Sequence, residues 1–297
     1  MKIVRCFISF VILMSLMSCG KKDPVHSTHS TSSYSSTSMT SKEKKQESTE
    51  QTSQSSNVED KLNTYLQQFK DENIGIYVEE IDSGKTFSVN ENQPMYAASI
   101  AKLPIIYYTQ LRLLSGSVTK EDMFPYIDEV NNISGAMIRG GTGVMQQTAQ
   151  IGQYFSIGQL LEWTIKNSDN LACNMLGYYV ADKNSGDFLS AISPYYSSPM
   201  DTFNKEMTPK TAGLLMKQIY HNKVDLDDFL HTQWQKEKIG HLDKDVYHKI
   251  GTNGEYNHDV GVVMSDKPYV ISILTNGYSN EEIESIVKEI DTLIKLE

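Results

Sequence analysis

Cysteine is nearly missing from this sequence: Cys6, Cys19 and Cys173 are the three among 297 residues. The first two fall in an N-terminal stretch with the marks of a targeting signal. The folded part therefore holds one thiol and no internal disulfide. Metal-ligand spacing is missing too. The seven histidines are scattered, His26 and His29 lie in a polar N-terminal stretch, and no His/Cys/Asp/Glu cluster has the short intervals of a metal site. The sequence calls for no cofactor. Basic residues are in the minority, 27 Lys and Arg against 37 Asp and Glu, for a net charge of −10. A chain this acidic is a poor partner for nucleic acid, and its charge serves solubility. No internal repeat is present.

Long apolar runs are confined to one place. Lys2 and Arg5 precede the run Cys6 to Met17, which has the length of a signal-peptide core and is too short to span a bilayer comfortably. It ends in Leu16-Met17-Ser18-Cys19, then Gly20. This resembles a bacterial lipobox, in which the cysteine is lipidated and becomes the mature N-terminus. The expectation is a lipoprotein signal over residues 1–19 with lipid on Cys19, holding the protein on the extracytoplasmic face of the cell membrane. An ordinary signal peptide that happens to contain a cysteine is the alternative. Residues 20–57 are almost all Ser, Thr, Gln, Lys and Glu, with Val25, Tyr34 and Met39 as the large apolar exceptions. Such a stretch buries too little apolar surface to offset its ordering entropy, and it reads as a disordered tether. With the three net positive charges of residues 1–57 removed from −10, the domain over 58–297 carries about −13. It is long enough for one well-cored unit and reads as a monomer.

Hydrophobic periodicity predicts a helix over 58–69, strands over 74–81 and 86–89 joined by the turn Asp82-Ser83-Gly84-Lys85, and a buried helix over 99–114 with Pro104 in its early turns. Further helices are expected over 156–165 with Ser156 as N-cap, over 170–180, and over 208–220 with Thr208 as cap and Pro209 at the first position. Strands over 247–250, 260–264 and 269–275 follow, and an amphipathic helix over 280–296 closes the chain. Strands at both ends around a helical middle point to the α/β (α+β) class: one antiparallel sheet completed by both chain ends and covered by helices, plus a mostly helical lobe.

Three short motifs carry chemistry. Ser99-Ile100-Ala101-Lys102 is an S-x-x-K opening the buried helix, with hydroxyl and amine on one face. A serine hydroxyl is a weak nucleophile, and a lysine held neutral by burial and like charge can take its proton. Alone, this motif is common. Ser168-Asp169-Asn170 lies between two predicted helices, however, and Lys249-Ile250-Gly251 ends a predicted strand before Thr252. With Gly140-Gly141-Thr142-Gly143, Ala97-Ala98 and Thr208-Pro209 in support, the order S-x-x-K, S-D-N, K-x-G resembles the serine β-lactamases and penicillin-binding proteins, closest to the class A type, over residues 62–294. The resemblance implies a β-lactamase/DD-peptidase-like fold. It makes Ser99 the nucleophile and Lys102 its base, with Ser168 as a proton relay and Lys249 as a positive charge for Ser168 and a substrate carboxylate. Asn170, Gly251 and Thr252 bind substrate, and the N–H groups of Ser99 and Thr252 form an oxyanion hole. Asp169 braces its turn.

Two departures alter what the resemblance implies. Class A enzymes carry an omega-loop glutamate, in E-x-x-L-N, that activates the deacylating water. Here the interval before Thr208 is short and shows no such pattern; Asp201 and Glu206 read as surface charges. Ile250 stands where the family has Thr or Ser and offers no hydrogen bond to a carboxylate. Thr252 is a substitute only if the strand turns, since alternation is expected to aim it elsewhere. His248 reads as packing or surface, and Tyr126, Tyr195 and Tyr196 as core or cleft border. The sequence thus leads to a serine acyl-enzyme acting on β-lactams or peptidoglycan stem peptides with slow deacylation. A β-lactamase with a different base is a variant of that reading, a glutaminase shares the architecture but fits the export signal poorly, and a non-catalytic wall-binding or sensing lipoprotein is the alternative.

Overall fold

The structure, a computed structural model, describes residues 59–182, 185–198 and 200–295. The expected signal segment with Cys19 and the expected tether lie outside the described residues. Residues 59–67 form helix α1. Strand β1 (Ile74–Glu80) and strand β2 (Thr86–Val89) form the expected hairpin. The short strand β3 (Met95–Tyr96) leads into a 3-10 turn over Ala98–Lys102 and helix α2 (Leu103–Leu114). The middle of the chain holds β4 (Met123–Pro125), α3 (Met145–Thr148), β5 (Tyr154–Ser156), α4 (Ile157–Lys166), α5 (Asn170–Tyr179) and α6 (Gly186–Ile192). Then come β6 (Glu206–Met207), α7 (Pro209–Asn222), α8 (Asp227–Leu230), β7 (Val246–Asn253), β8 (Tyr256–Val263), β9 (Tyr269–Thr275) and α9 (Asn280–Lys295).

The main sheet has five strands in the order β2-β1-β9-β8-β7, every neighbour antiparallel. Both ends of the chain build it, because β1 pairs with β9 from Ile74↔Thr275 to Glu80↔Tyr269. Alternation divides its side chains between two cores. Ile74, Ile76 and Val78 join Ile271 and Ile273 against Leu62 and Leu66 of α1 and Ile283, Val287 and Ile290 of α9. Tyr77, Val260, Val262, Val270 and Leu274 face the other way, into the core of the helical lobe. All seven residues of β1 and of β9 are buried, as befits strands covered on both faces.

Local sequence explains most of the boundaries. Ser156 and Gln159 form a reciprocal capping box on α4, and Thr208 caps α7 with Pro209 next. One expected element divides in two. The stretch 99–114 is not a single α-helix, because its first four residues wind in the 3-10 turn that begins at Ala98. Pro104 has no N–H to give the carbonyl of Ile100, and the N–H of Leu103 donates to it instead, three residues on. The strands β7 and β8 are also longer than 247–250 and 260–264. Polar residues such as Thr252, Asn253, Asn257 and His258 carry little strand propensity, but backbone pairing extends through Asn253↔Tyr256. The two-residue and three-residue strands β3, β4, β5 and β6 and the one-turn helices give no periodic signal and went unread.

Candidate active site

The nucleophile candidate stands on the 3-10 turn, where residues three apart eclipse one another. Lys102 Nζ thereby donates to Ser99 Oγ at 2.7 Å. Ala98, just before Ser99, has φ +47°, a left-handed conformation that costs a non-glycine residue about 1 kcal/mol. The Ser99 turn packs against β7, and the close approach requires Gly251: a Cβ there would stand 2.9 Å from Ile100 N and 3.0 Å from the Ala97 carbonyl.

The second motif occupies the link between α4 and α5. Ser168 has φ +52°, and Asp169 caps α5. Asp169 is fully buried, with Oδ1 accepting from the N–H groups of Leu171 and Ala172 and Oδ2 from that of Met145. Gly143 lies so close that a Cβ would meet Asp169 Oδ2 at 2.5 Å, and its φ of +140° also favours glycine. Asp169 is therefore the brace expected of it. Asn170 accepts from Lys102 Nζ through Oδ1 at 2.8 Å and donates through Nδ2 to the carbonyls of Ile138 and Gly140, both at 2.9 Å. Its amide hydrogens are committed, while Oδ1 keeps a lone pair for a substrate N–H.

The third motif closes the set. Lys249 Nζ donates to Ser168 Oγ at 2.7 Å and to the Ile250 carbonyl at 2.9 Å, and it lies 5.7 Å from the centre of the Trp234 ring. Lys102 reaches the same Ser168 Oγ at 3.3 Å. Two buried ammonium groups thus converge on one hydroxyl, an arrangement that favours neutral lysine. Burial, with the charge of Lys205 acting the same way, draws Lys102 down to about 8 against the opposing pull of Cys173 and Asp169. Burial and then the charge of Lys102 draw Lys249 well below the ordinary lysine range. Ser99, Lys102, Ser168, Asn170 and Lys249 form one hydrogen-bonded cluster, as the sequence motifs anticipate.

Ser99, Ser168 and Asn170 line a cleft of about 470 Å³, with Lys102 and Lys249 buried behind them. Ile250 and Thr252 both line it. Two apart on β7, they share a face, so the expectation that Thr252 points away from the cleft is corrected. Its hydroxyl lies 3.5 Å from Lys238 Nζ and 3.4 Å from Asn257 Oδ1. Lys238 is buried at φ +51°, donates to the His258 carbonyl at 3.1 Å, and is drawn below the ordinary lysine range by burial. Sequence reading missed it, although Lys238-Ile239-Gly240 repeats the tripeptide Lys249-Ile250-Gly251. Trp234, Tyr96 and Lys205, all lining the cleft, were also missed, and no motif marks them. His248, which alternation turns to the face opposite its neighbour Lys249, is buried with Nδ1 at 3.0 Å from Asp259 Oδ2. His258 is held neutral, its value lowered to about 4 by burial, and its Nε2 contacts the Tyr96 carbonyl at 2.8 Å.

A profile of the β-lactamase enzyme family matches residues 57–295. The chain belongs to that family. Among solved structures it is similar to PBP-A, at 18% identity and a TM-score of 0.63, over 80% of this chain and 94% of that one. A variant of PBP-A described as an acyl-enzyme complex with penicillin G matches with the same identity and score over 80% and 95%. A β-lactamase from Sphaerobacter thermophilus matches at 18% identity and a TM-score of 0.60, over 75% of this chain and 90% of that one. At this identity the likeness is one of fold. A search among curated proteins returned no match.

The carboxylates stand apart from this cluster. Among the described residues, none hydrogen-bonds Ser99, Lys102 or Ser168. Glu237 lines the cleft, but its Oε2 accepts from Asn280 Nδ2 at 3.0 Å. Asp201 and Glu206 are exposed and off this cleft, as expected of surface charges. Tyr126 is buried, and Tyr195 bonds the Tyr107 hydroxyl at 3.0 Å, so neither borders the cleft.

Proposed function

We propose that this protein is a lipid-anchored extracytoplasmic serine acyl-enzyme that takes β-lactams or peptides ending in D-Ala-D-Ala, and that it deacylates slowly. The observation that carries the reading is Lys102, buried, lowered to about 8, and 2.7 Å from Ser99 Oγ. In its neutral form Lys102 accepts the Ser99 proton as Oγ attacks the carbonyl carbon. The oxyanion that forms is held by the N–H groups of Ser99 and Thr252. The proton passes by way of Ser168, 3.3 Å from Lys102 Nζ, to the departing nitrogen. The carbon–nitrogen bond breaks, and the acyl group stays on Ser99. Lys249 and Lys238 supply positive charge for the substrate carboxylate, with the Thr252 hydroxyl making the hydrogen bond that Ile250 cannot.

Hydrolysis of the acyl-enzyme needs a base for water, and general-base assistance contributes some 10²–10⁴-fold. Without a carboxylate hydrogen-bonded to Ser99 or Lys102 among the described residues, the adduct persists. Intact-mass measurement of the full chain after brief exposure to penicillin, with Ser99→Ala alongside, tests this. A lasting adduct that the variant lacks supports the reading. Fast penicillin hydrolysis without an adduct would replace slow deacylation by β-lactamase turnover through another base, and neither adduct nor hydrolysis would favour a binding role. The anchor rests on the sequence before residue 20. Metabolic labelling with a fatty acid should mark the wild-type chain and be lost in Cys19→Ala.

A further inference from the structure

Strand β7 is the last in the sheet, so its outer edge, which borders the cleft, has no strand partner. Such an edge is a template for an extended peptide, which main-chain bonds can hold. On the acyl-enzyme reading, the leaving-group carboxylate lies near Lys249 and the acyl chain runs toward Asn253, four residues or roughly 13 Å further at ~3.3 Å per residue.

Beyond Asn253 the wall of the cleft continues to Tyr96. Asn253 Nδ2 donates to the Tyr96 hydroxyl at 3.2 Å, and Tyr96 stands edge-on to Tyr256 with ring centres 5.5 Å apart. Tyr96 is a wall shared by two hollows: the cleft with Ser99, and a second groove of about 220 Å³. Asn73, Gln93 and Asn276 give this groove amide side chains, and Tyr256 gives it an aromatic flank. Glu206 is the one charged side chain on its walls, and it is exposed with no ion-pair partner among the described residues. Amides complement the N–H and C=O groups of a peptide, and a lone carboxylate attracts an amine and repels an acid.

We propose that the second groove is an acyl-side subsite for an extended peptide, one that continues two or three residues beyond the scissile dipeptide and places an amine against Glu206. A small β-lactam fits in the first cleft and does not reach the groove. The proposal rests on the acyl-enzyme reading for the direction of the substrate.

The test is calorimetric titration of the full chain carrying Ser99→Ala with peptides ending in D-Ala-D-Ala, preceded by one, two or three residues, the amine free or acetylated. Penicillin adduct formation by the chain with Ser99 intact is measured in parallel. We expect the longest free-amine peptide to bind about tenfold more tightly than its acetylated form and than the shortest peptide. Adding Glu206→Gln should remove the amine preference, and Gln93→Trp, which fills the groove from an exposed position, should remove the length preference. Affinity independent of length and amine, or preferences that survive both substitutions, would overturn the subsite whether or not penicillin forms an adduct. Preferences that depend on Glu206 and Gln93 would uphold the groove even if no adduct formed, and the acyl-enzyme chemistry alone would then fall.

Discussion

Lys102 combines two demands that conflict in most proteins, burial and a titratable amine. In the proposed chemistry its neutral form is the competent base, so the second-order rate of Ser99 acylation should rise with pH through about 8 and then level. Stopped-flow or intact-mass acylation rates from pH 6 to 10 check this. Lys102→Arg should fall with Lys102→Ala, by a factor of 10² or more, because a guanidinium stays protonated. The same shift enters stability. The folded value lies below the unfolded ~10.4, so the unfolded chain binds more protons in the window between about 8 and that value, and stability rises with pH there. At neutral pH the cost of the buried amine is about 3 kcal/mol. Lys102→Met should therefore abolish acylation, raise the urea midpoint at pH 7, and lose part of the stability slope above pH 8. Residues fixed by local spacing, Ser99 with Lys102 and Ser168 with Asn170, were legible in the sequence. Lys205, Trp234 and Tyr96 reach the cleft, and Lys238 reaches Thr252 beneath it, through tertiary packing, and no short interval connects them to a motif.

Among the elements, the turn before α2 decides the aim of the nucleophile. Residues three apart superimpose in a 3-10 turn but stand about 60° apart in an α-helix. Pro104→Ala would return an N–H to the Ile100 carbonyl and favour the α form, turning Ser99 away from Lys102. Acylation should drop about tenfold with the urea midpoint little changed, which penicillin adduct rates and equilibrium unfolding measure together. Element type was readable wherever periodicity ran for ten residues or more, as in α4, α7 and α9, or where apolar residues were continuous, as in β9. The 3-10 turn was not, since it differs from α-helix by one hydrogen bond that proline removes. The polar ends of β7 and β8 were not, since their pairing is fixed by the hairpin at Gly254, φ +59°, and by neither hydrophobicity nor propensity.

At the scale of the whole molecule, the sheet separates two cores, and α9 supplies much of the smaller one. Ile283, Val287, Ile290 and Ile294 are each buried there, and burial of such side chains is worth roughly 1.5–3 kcal/mol apiece. Their sum, on the order of 6–12 kcal/mol, is comparable with the net stability of a typical domain, 5–15 kcal/mol. A chain ending before Asn280 should therefore fail to show a cooperative unfolding transition and should form no penicillin adduct. The general plan, a sheet made by both chain ends with a helical lobe between them, followed from the order of predicted elements. The strand order, with β1 inside and β7 at the rim, did not, because pairing partners far apart in sequence leave no local trace.

The pairing of Ile74 with Thr275 also has a consequence in time. A ribosome delivers β1 long before β9, and contacts between distant positions are slow to form because a long loop must close first. Through most of synthesis β1 has only β2 to pair with, and an isolated hairpin is marginal in water. The nascent chain therefore stays pliable until β8 and β9 emerge and the sheet can close. Ser99 and Lys102 can meet β7 only once that strand has emerged, so the chemistry proposed for them stays silent in the earlier nascent chain.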